Sequence, residues 1–248
     1  MKIVLIGYGN VGWHLSRFLK PVCEELMVVT SKPNDKDDFF FSDTIPENAD
    51  FYIITRQEKF VSDTSKKIKT NNGIVVHTSG TLPAEVLNKH RHYGVLYPFQ
   101  TFRKGRPLSV PFINFAIEAN DQFTINQLTN LCDSIHQNYY LVTQNQRIAL
   151  HVTGVLSSNF PNFLYVISYD ILEKYNLHYE ILKPLIKETI ERLDYFHPAD
   201  VQTGPAIRND SEIIAKHLEL LKKDLPIGAD IYEVISKAII KYYLNEKL

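Results

Sequence analysis

The spacing of apolar and polar positions in this 248-residue chain changes near residue 143. Before that point, short β-branched runs typical of buried strands alternate with stretches whose apolar residues recur at helical spacing. This alternation predicts a mainly parallel sheet with helices on both faces. The runs that predict strands are 3–6, 26–29, 51–55, 74–76, 94–97, 112–118 and 139–142, and the stretches that predict helices include 60–69, 83–90 and 122–136.

From Gln144 onward the chain shows helical periodicity and almost no strand signal. We interpret the apolar stripes of this half as packing faces of a helical bundle. The predicted architecture is an α/β domain of residues 1–143 followed by an all-α domain of residues 144–248. Because the stripes hold more apolar surface than one small bundle buries alone, we expect a homodimer formed through these helices. The stripes lie along 181–193, 213–221 and 231–242.

A glycine pattern with the spacing G-x-G-x-x-G directly follows the first predicted strand and precedes a helix. Gly7 permits a tight turn, Gly9 lets a pyrophosphate approach the backbone, and Gly12 lets the helix pack closely on the sheet. The N–H groups at the helix start then face the phosphates. This context predicts a Rossmann-type dinucleotide site, with a glycine-rich turn of another α/β unit as the alternative. Its expected residues are Gly7, Tyr8, Gly9, Asn10, Val11, Gly12 and, after the third strand, Thr55.

The end of the second predicted strand indicates which dinucleotide binds. An NAD site usually carries an acidic residue there, which binds the ribose 2′-hydroxyl. This chain has Thr30, Ser31 and Lys32 instead. Two hydroxyls and a cation suit a 2′-phosphate better, so we expect NADP rather than NAD. The alternative for Lys32 is a solvated loop lysine.

Composition excludes several classes of protein. Hydrophobic content of 44% and charged content of 22% are ordinary for a globular chain, and a net charge of −1 gives no reason to expect a nucleic-acid or anionic-membrane partner. Cys23 and Cys132 lie far apart in the sequence and do not have metal-ligand spacing. They indicate a reducing compartment and argue against a disulfide framework or a zinc site. With no leader segment and no apolar run of membrane-spanning length, we expect a soluble, cytoplasmic protein.

Polar side chains follow the predicted strands at the sheet edge where ligands bind. His77, Thr78 and Ser79 come just after one strand and are followed by Gly80, and Tyr97 ends the next strand. In parallel sheets, ligands bind beyond the carboxyl ends of the strands. Position alone therefore makes these residues site candidates.

Two further groups of polar residues lie in the helical half. Arg147, His151 and Ser158 are spaced to share one helix face. His151 is a candidate acid or base, with a structural histidine as the alternative. A loop around a Gly-Pro pair holds an amide, a hydroxyl, a guanidinium and a carboxylate, although the last also fits as a cap of the following helix. These four residues are Gln202, Thr203, Arg208 and Asp210.

The ordered motifs GYGNVG, HTSG, YPFQTF, RIALH…SSNF and QTGPAIRND resemble the DUF2520 family, which joins a Rossmann-like domain to a C-terminal domain of unknown function. Its members are described as NADP-dependent oxidoreductases and are similar to pyrroline-5-carboxylate reductase, ketopantoate reductase and the F420-dependent NADP reductases. The resemblance covers nearly the whole chain. By motif, it implies cofactor binding at Gly7, Gly9 and Gly12, a turn beside the nicotinamide at His77, Thr78, Ser79 and Gly80, an inter-domain helix with His151 and Asn159, and a late loop with Thr203, Gly204, Pro205, Arg208 and Asp210.

One departure from the family matters. The family motif H-P-x-x-T-F begins here with Tyr97, which can donate a hydrogen bond but cannot titrate near neutral pH. If that position supplies the acid in the family, His77 or His151 becomes the stronger candidate here. Arg147 lies where related dehydrogenases can carry a lysine, and as an arginine it can bind an anion but cannot act as an acid.

Together these observations lead to an NADP-dependent reductase or dehydrogenase for a small polar, anionic substrate. We expect the reactive ring near Ser79 and His151 as the acid or base. Asn159 would orient the reacting atom, and Arg208 would bind a carboxylate or phosphate. A non-catalytic NADP(H)-binding regulator or scaffold is the alternative from another class, and a nucleotide-binding transferase that uses the same glycine loop is a weaker one.

Overall fold

A computed structural model describes residues 1–33, 37–110 and 112–245. Contacts divide the chain into two compact units, one of residues Met1–Ser158 and one that begins at Asn159. The first unit contains the sheet and the second is helical. This arrangement confirms the predicted fold class, an α/β sheet region followed by helices.

The first unit is organised around a sheet that has eight strands in the described residues, in the order β3-β2-β1-β4-β5-β6-β7-β8. Strands β1 to β6 run parallel, β7 runs antiparallel to β6, and β8 is parallel to β7. The order reverses between β1 and β4, which is where such sheets bind ligands. The strands are β1 Lys2–Ile6, β2 Glu25–Val29, β3 Phe40–Ser42, β4 Phe51–Ile54, β5 Ile74–His77, β6 Tyr93–Phe99, β7 Asn114–Ala119 and β8 Asn138–Leu141.

Apolar side chains fill both faces of this sheet. Ile3 and Leu5 of β1 join one core with helices α1 (Asn10–Leu19) and α3 (Gln122–Ser134). Val4 and Ile6 point the other way and join a second core, to which helix α2 (Val61–Lys67) contributes Val61. A strand that alternates between two apolar layers must be apolar throughout, which explains the continuous run in the sequence.

The first unit differs from the prediction at two places, a strand that was not predicted and a predicted helix that is shorter. Strand β3 was missed because three residues at a sheet edge are too few to show a periodicity. The predicted helix 83–90 is only a 3₁₀ turn at Ala84–Leu87. Ala84 and Leu87 are both buried, and in a 3₁₀ turn residues three apart lie on the same side, so this geometry buries both in one short turn.

The second unit is helical throughout its regular structure, as expected. After helix α4 (Gln144–Gly154), its helices are α5 Phe160–Lys174, α6 Lys183–Glu191, α7 Ser211–Asp224 and α8 Pro226–Asn245. A π-helical turn at Val155–Asn159 joins α4 to α5. Pro161 lies in the first turn of α5, and its missing N–H removes one regular helical bond at this junction.

Contacts place the division between the units after Ser158, whereas composition placed the boundary after residue 143. Helix α4 therefore clusters with the sheet. The reason is visible in its side chains, since Arg147 and His151 both bond to residues at the carboxyl edge of the sheet. Composition reports helix content and cannot show which neighbours a helix contacts.

Many apolar side chains of the second unit are exposed in the single chain. Leu185 of α6 is 64% exposed and Val234 of α8 is 68% exposed. The first predicted stripe, 181–193, therefore does not act as a packing face within the chain, because Ile181, Leu185, Ile190 and Leu193 are all exposed. Among the described residues, no helix combines the length and apolar character needed to span a membrane.

Candidate functional site

The glycine loop has the geometry that a dinucleotide loop requires. Gly7 adopts φ of +112°, a conformation that L side chains rarely adopt. A Cβ atom added to Gly12 would lie 2.3 Å from the carbonyl oxygen of Gly7 and 2.8 Å from Oγ1 of Thr55. Thr55 closes the loop by donating from Oγ1 to that Gly7 oxygen over 2.9 Å. The first and third glycines thus serve the turn and the close packing of α1.

Gly9 differs from both, because an added Cβ would have no atom within 4 Å. Gly9 is also the N-cap of α1, where it offers no side-chain cap, and the first turn of α1 holds no acidic residue. Gly9 and Asn10 are exposed, so this helix end, with its favourable dipole and no acidic residue in its first turn, is accessible to an anion. This arrangement fits a pyrophosphate at Gly9, Asn10 and Val11.

A segment after β6 contacts the glycine loop on either side of Gly9, at Tyr8 and Asn10. Lys104 donates from Nζ to the carbonyl oxygen of Tyr8 over 3.0 Å and from its backbone N–H to Oδ1 of Asn10 over 3.0 Å. His14 donates from Nε2 to the carbonyl oxygen of Arg103 over 3.1 Å. The segment places a cation beside the expected pyrophosphate. No prediction included Lys104, although the basic run R-K-G-R at 103–106 is visible in the sequence.

The side chain of Tyr8 turns away from the loop surface. It is buried, and its hydroxyl donates to Oδ2 of Asp37 over 2.7 Å while it accepts from Nη1 of Arg17 at 3.3 Å. Tyr8 was predicted to bind the cofactor, and it can do so through its backbone but not through its side chain.

A cavity of about 450 Å³ lies beyond β1, β2 and β4. Thr30 and Ser31 line it as predicted, whereas Lys32 is exposed and is not among its lining residues. Its positive charges come from Arg56, Lys67 and Lys69, and its negative charges from Asp43 and Glu47. Arg56 was not predicted, because the fingerprint places the cation at the end of β2, whereas Arg56 follows β4.

The turn after β5 is held rigidly by its own hydrogen bonds. His77 is fully buried, accepts the N–H of Ser79 at Nδ1 over 3.2 Å, and donates from Nε2 to the carbonyl oxygen of Pro83 over 3.3 Å. Burial lowers the pKa of His77 to about 4. Thr78 donates to the carbonyl oxygen of Ile54 from its backbone N–H at 3.3 Å. His77 and Thr78 therefore make internal hydrogen bonds that hold the turn in place.

The hydroxyl of Ser79 is fully engaged within this turn. It accepts the N–H groups of Thr81 and Leu82 at 3.0 and 2.8 Å and donates to Oε1 of Glu58. Thr81 donates to the same carboxylate oxygen over 2.7 Å. Although burial acts to raise the pKa of Glu58, these two hydroxyls and nearby histidines lower it overall. Glu58 is a site residue that no sequence motif indicated.

Arg147 links the turn to the sheet. It is fully buried and donates from Nε and Nη2 to Oε2 of Glu118 on β7, at 3.1 and 3.0 Å. Its Nη1 donates to the carbonyl oxygen of Ser79 over 3.0 Å. Arg147 therefore acts here as an internal ion-pair partner, and its expected role in anion binding gives way to a structural one.

Helix α4 brings His151 against the turn and β6. The ring of His151 lies where a Cβ atom on Gly80 would sit, 2.6 Å from Nδ1. Nδ1 also lies 3.1 Å from the hydroxyl of Tyr97. Burial raises the pKa of Tyr97, against the opposing charge of Arg147. Ser158 bonds Thr101 at 2.9 Å, so the predicted shared face of Arg147, His151 and Ser158 is present.

The remaining predicted residues belong to the second unit. Asn159 and Arg208 are exposed, and Gln202 donates to the carbonyl oxygen of its neighbour Thr203. Asp210 caps α7, accepting the N–H of Ile213 at 3.2 Å, as the capping alternative predicted. Thr203 and Gly204 line a mainly apolar cavity of about 320 Å³ formed within this unit by α5, α7 and α8.

Known proteins resemble this chain over its length. A model of the family DUF2520, described as a domain of unknown function, matches residues 113–239. A solved structure of a proposed NADP oxidoreductase from Bacteroides fragilis is 29% identical, covers 97% of this chain and 98% of its own, and has a TM-score of 0.87.

More distant solved structures share the fold alone. A pyrroline carboxylate reductase from Plasmodium falciparum with NADP bound is 15% identical, with 97% and 98% coverage and a TM-score of 0.63. An imine reductase from Myxococcus stipitatus in complex with NADP⁺ is 11% identical, with 98% and 100% coverage and a TM-score of 0.66. A search of curated proteins finds no match.

The buried His77 predicts a pH dependence of stability. Its folded pKa of about 4 lies below the unfolded value of 6.5, so between these values the unfolded chain binds the extra proton. The free energy of unfolding should therefore fall as pH decreases from about 6.5 to about 4, with a slope from this group of at most about 1.4 kcal/mol per pH unit. Denaturant unfolding at several pH values measures the slope. His77→Gln should flatten it, and a slope equal to that of the parent protein would contradict the assignment.

Proposed function

The chain belongs to the DUF2520 family, and we propose that it is an NADP-dependent reductase or dehydrogenase. One observation carries the proposal. The glycine loop after β1, which has open space at Gly9, and a polar cluster of Ser79 after β5, Tyr97 of β6 and His151 of α4 lie at the same carboxyl edge of the sheet. The similarity to the Bacteroides fragilis protein, a proposed NADP oxidoreductase, supports the same reaction class.

The cofactor's phosphates fit the donors of the loop. Gly9, Asn10 and Val11 would bind the pyrophosphate through backbone N–H groups, with Lys104 as an added cation. Thr30 and Ser31 would bind the adenosine ribose through their hydroxyls in the adjoining cavity. The nicotinamide, when bound, supplies or accepts a hydride. The protein's share of the chemistry is then to orient the substrate and to move a proton.

We assign the proton to Nε2 of His151. Tyr97 remains protonated at neutral pH, because burial raises its pKa, and it donates to Nδ1 of His151. A neutral ring that accepts at Nδ1 carries its hydrogen on Nε2. When Nε2 passes this proton to the substrate, Nδ1 takes the proton of the Tyr97 hydroxyl, so the ring stays neutral, and solvent then returns a proton to Tyr97. Ser79, whose hydroxyl is already engaged, holds the turn in place beside this pair.

We further propose a small polar, anionic substrate. Arg208 would bind its carboxylate or phosphate, because this exposed guanidinium carries no ion pair with any described residue. Asn159 would orient the reacting oxygen or nitrogen through its amide. Substitution of Arg208 by alanine should raise KM, and substitution of Asn159 by alanine should lower kcat, each relative to the parent protein.

Cofactor binding is the first test. Titration calorimetry should show NADPH binding to the protein and loss of about tenfold or more in affinity for Gly9→Ala, since the added methyl separates a charged pyrophosphate from N–H donors that contribute about 1.5–3 kcal/mol each. The variant should remain folded, because the methyl group enters open space. Binding of neither NADPH nor NADH by the parent protein would refute the proposal.

Turnover tests the role of His151. Against a panel of carbonyl and imine substrates with NADPH, His151→Ala should lower kcat about 10²–10⁴-fold and leave NADPH affinity within about twofold. Tyr97→Phe should cause a smaller loss, because His151 remains but must take the proton for Nδ1 from solvent instead of from the Tyr97 hydroxyl. Unchanged turnover in His151→Ala would remove His151 from the mechanism, and tight NADPH binding without turnover would favour the regulator.

We propose that the chain forms a homodimer through its C-terminal helices, because Leu185, Val234 and other apolar side chains there are exposed in the single chain. Light scattering at micromolar concentration should give twice the chain mass of 28.7 kDa. Leu185→Glu should weaken the assembly by placing a charge in the apolar surface. A single 28.7 kDa species at all concentrations would contradict the dimer.

A further inference from the structure

We infer that Arg56 is the residue that recognises the 2′-phosphate of the cofactor and so selects NADP over NAD. The inference rests on the proposed function and makes it more specific. It also revises the sequence expectation, which assigned this role to Lys32. Arg56 lines the cavity beside the glycine loop, and the contacts of its guanidinium leave it able to bind an anion.

The position of the cavity fits the adenosine end of a dinucleotide. Gly7 and Ile6 at the end of β1, Val29 and Thr30 at the end of β2, and Arg56 after β4 all line it. These strands flank the point where the strand order reverses, and the adjoining glycine loop fits the pyrophosphate. A ligand whose pyrophosphate lies at Gly9 therefore extends its ribose toward this cavity.

The guanidinium of Arg56 is oriented and is available to bind an anion. Nη1 donates to Oγ1 of Thr64 over 3.2 Å, and the guanidinium carbon lies 5.0 Å from the ring centre of Phe60. These contacts orient the guanidinium but neutralise none of its charge, and no described carboxylate pairs with it. A planar guanidinium with several remaining donors matches the oxygens of a phosphate.

The other cations of the cavity are weaker candidates, and Lys67 offers a point charge without the planar fork of a guanidinium. Lys69 is paired with Glu47 at 3.6 Å, so part of its charge is compensated. Lys32 is exposed and does not line the cavity. Asp43, which follows the short strand β3, is the competing candidate, because an acidic residue here would bind a ribose 2′-hydroxyl and favour NAD. Three cations against two carboxylates give the cavity a positive balance, which favours a phosphate.

Small adenosine phosphates test this assignment separately from redox chemistry. Titration calorimetry would compare adenosine 2′,5′-bisphosphate with 5′-AMP, and NADPH with NADH, on the parent protein, Arg56→Ala and the matched exposed control Lys32→Ala. Arg56→Ala should weaken the bisphosphate and NADPH about 10–100-fold and change AMP and NADH by less than about threefold. Lys32→Ala should change all four by less than about threefold. Arg56→Lys should give an intermediate loss, because the charge remains without the planar fork.

Other outcomes would overturn the assignment. Equal weakening of all four ligands by Arg56→Ala would place Arg56 at the adenine or the pyrophosphate. Tighter binding of NADH than NADPH by the parent protein, lost in Asp43→Asn, would assign the ribose to Asp43. Failure of the bisphosphate to bind the parent protein would also refute the inference.

Failure of the oxidoreductase proposal and failure of the inference about Arg56 would give different results. If Arg56-dependent binding of the bisphosphate occurs while neither NADPH nor NADH binds, the inference about the phosphate subsite stands and the oxidoreductase proposal fails. If NADPH binds and is consumed while Arg56→Ala keeps the same preference for NADPH over NADH, the oxidoreductase stands and the inference fails.

Discussion

The site depends on one buried charge. Arg147 lies in helix α4 with no exposed surface, and it bonds Glu118 on β7 and the backbone of Ser79 in the turn after β5. A buried guanidinium that loses its carboxylate costs about 3–5 kcal/mol, so these partners restrain one another strongly. Three segments far apart in sequence are thereby held at the same edge of the sheet, one helical turn from His151.

The contacts of Arg147 with Glu118 and Ser79 have a consequence at Gly80. Because α4 is held so close to the turn, the ring of His151 occupies the space that any larger side chain at Gly80 would need. The same approach brings His151 within 3.1 Å of the Tyr97 hydroxyl. Tyr97 therefore does not act alone, since it contacts His151, the one histidine of helix α4.

The parts of this molecule that could be predicted from sequence are those fixed by local rules. Gly7, Gly9 and Gly12 act within one turn, and the rule that ligands bind beyond strand ends placed Ser79 and Tyr97 at the same edge. The parts that could not be predicted depend on contacts between distant segments.

Those distant contacts involve residues that no local pattern distinguishes. Glu58 reaches Ser79, Lys104 reaches Tyr8, and Glu118 reaches Arg147 only after the sheet has formed. Arg56 lies in the right cavity although it follows a different strand from the one where the pattern was sought. The short strand β3 left no periodic signal, which also concealed Asp43 from the sequence argument.

The exposed apolar helices of the second unit have a consequence for the stability of the protein in a cell. Any surface that covers them adds to the stability of the folded state by mass action, as RT ln(1 + [L]/Kd) for a covering partner at concentration [L]. Stability then becomes a property of the population of molecules rather than of one molecule. A tenfold change in the amount of the covering partner, once it exceeds Kd, shifts stability by about 1.4 kcal/mol, as much as an ordinary point mutation. Changes in gene expression and changes in sequence would thus act on the same quantity.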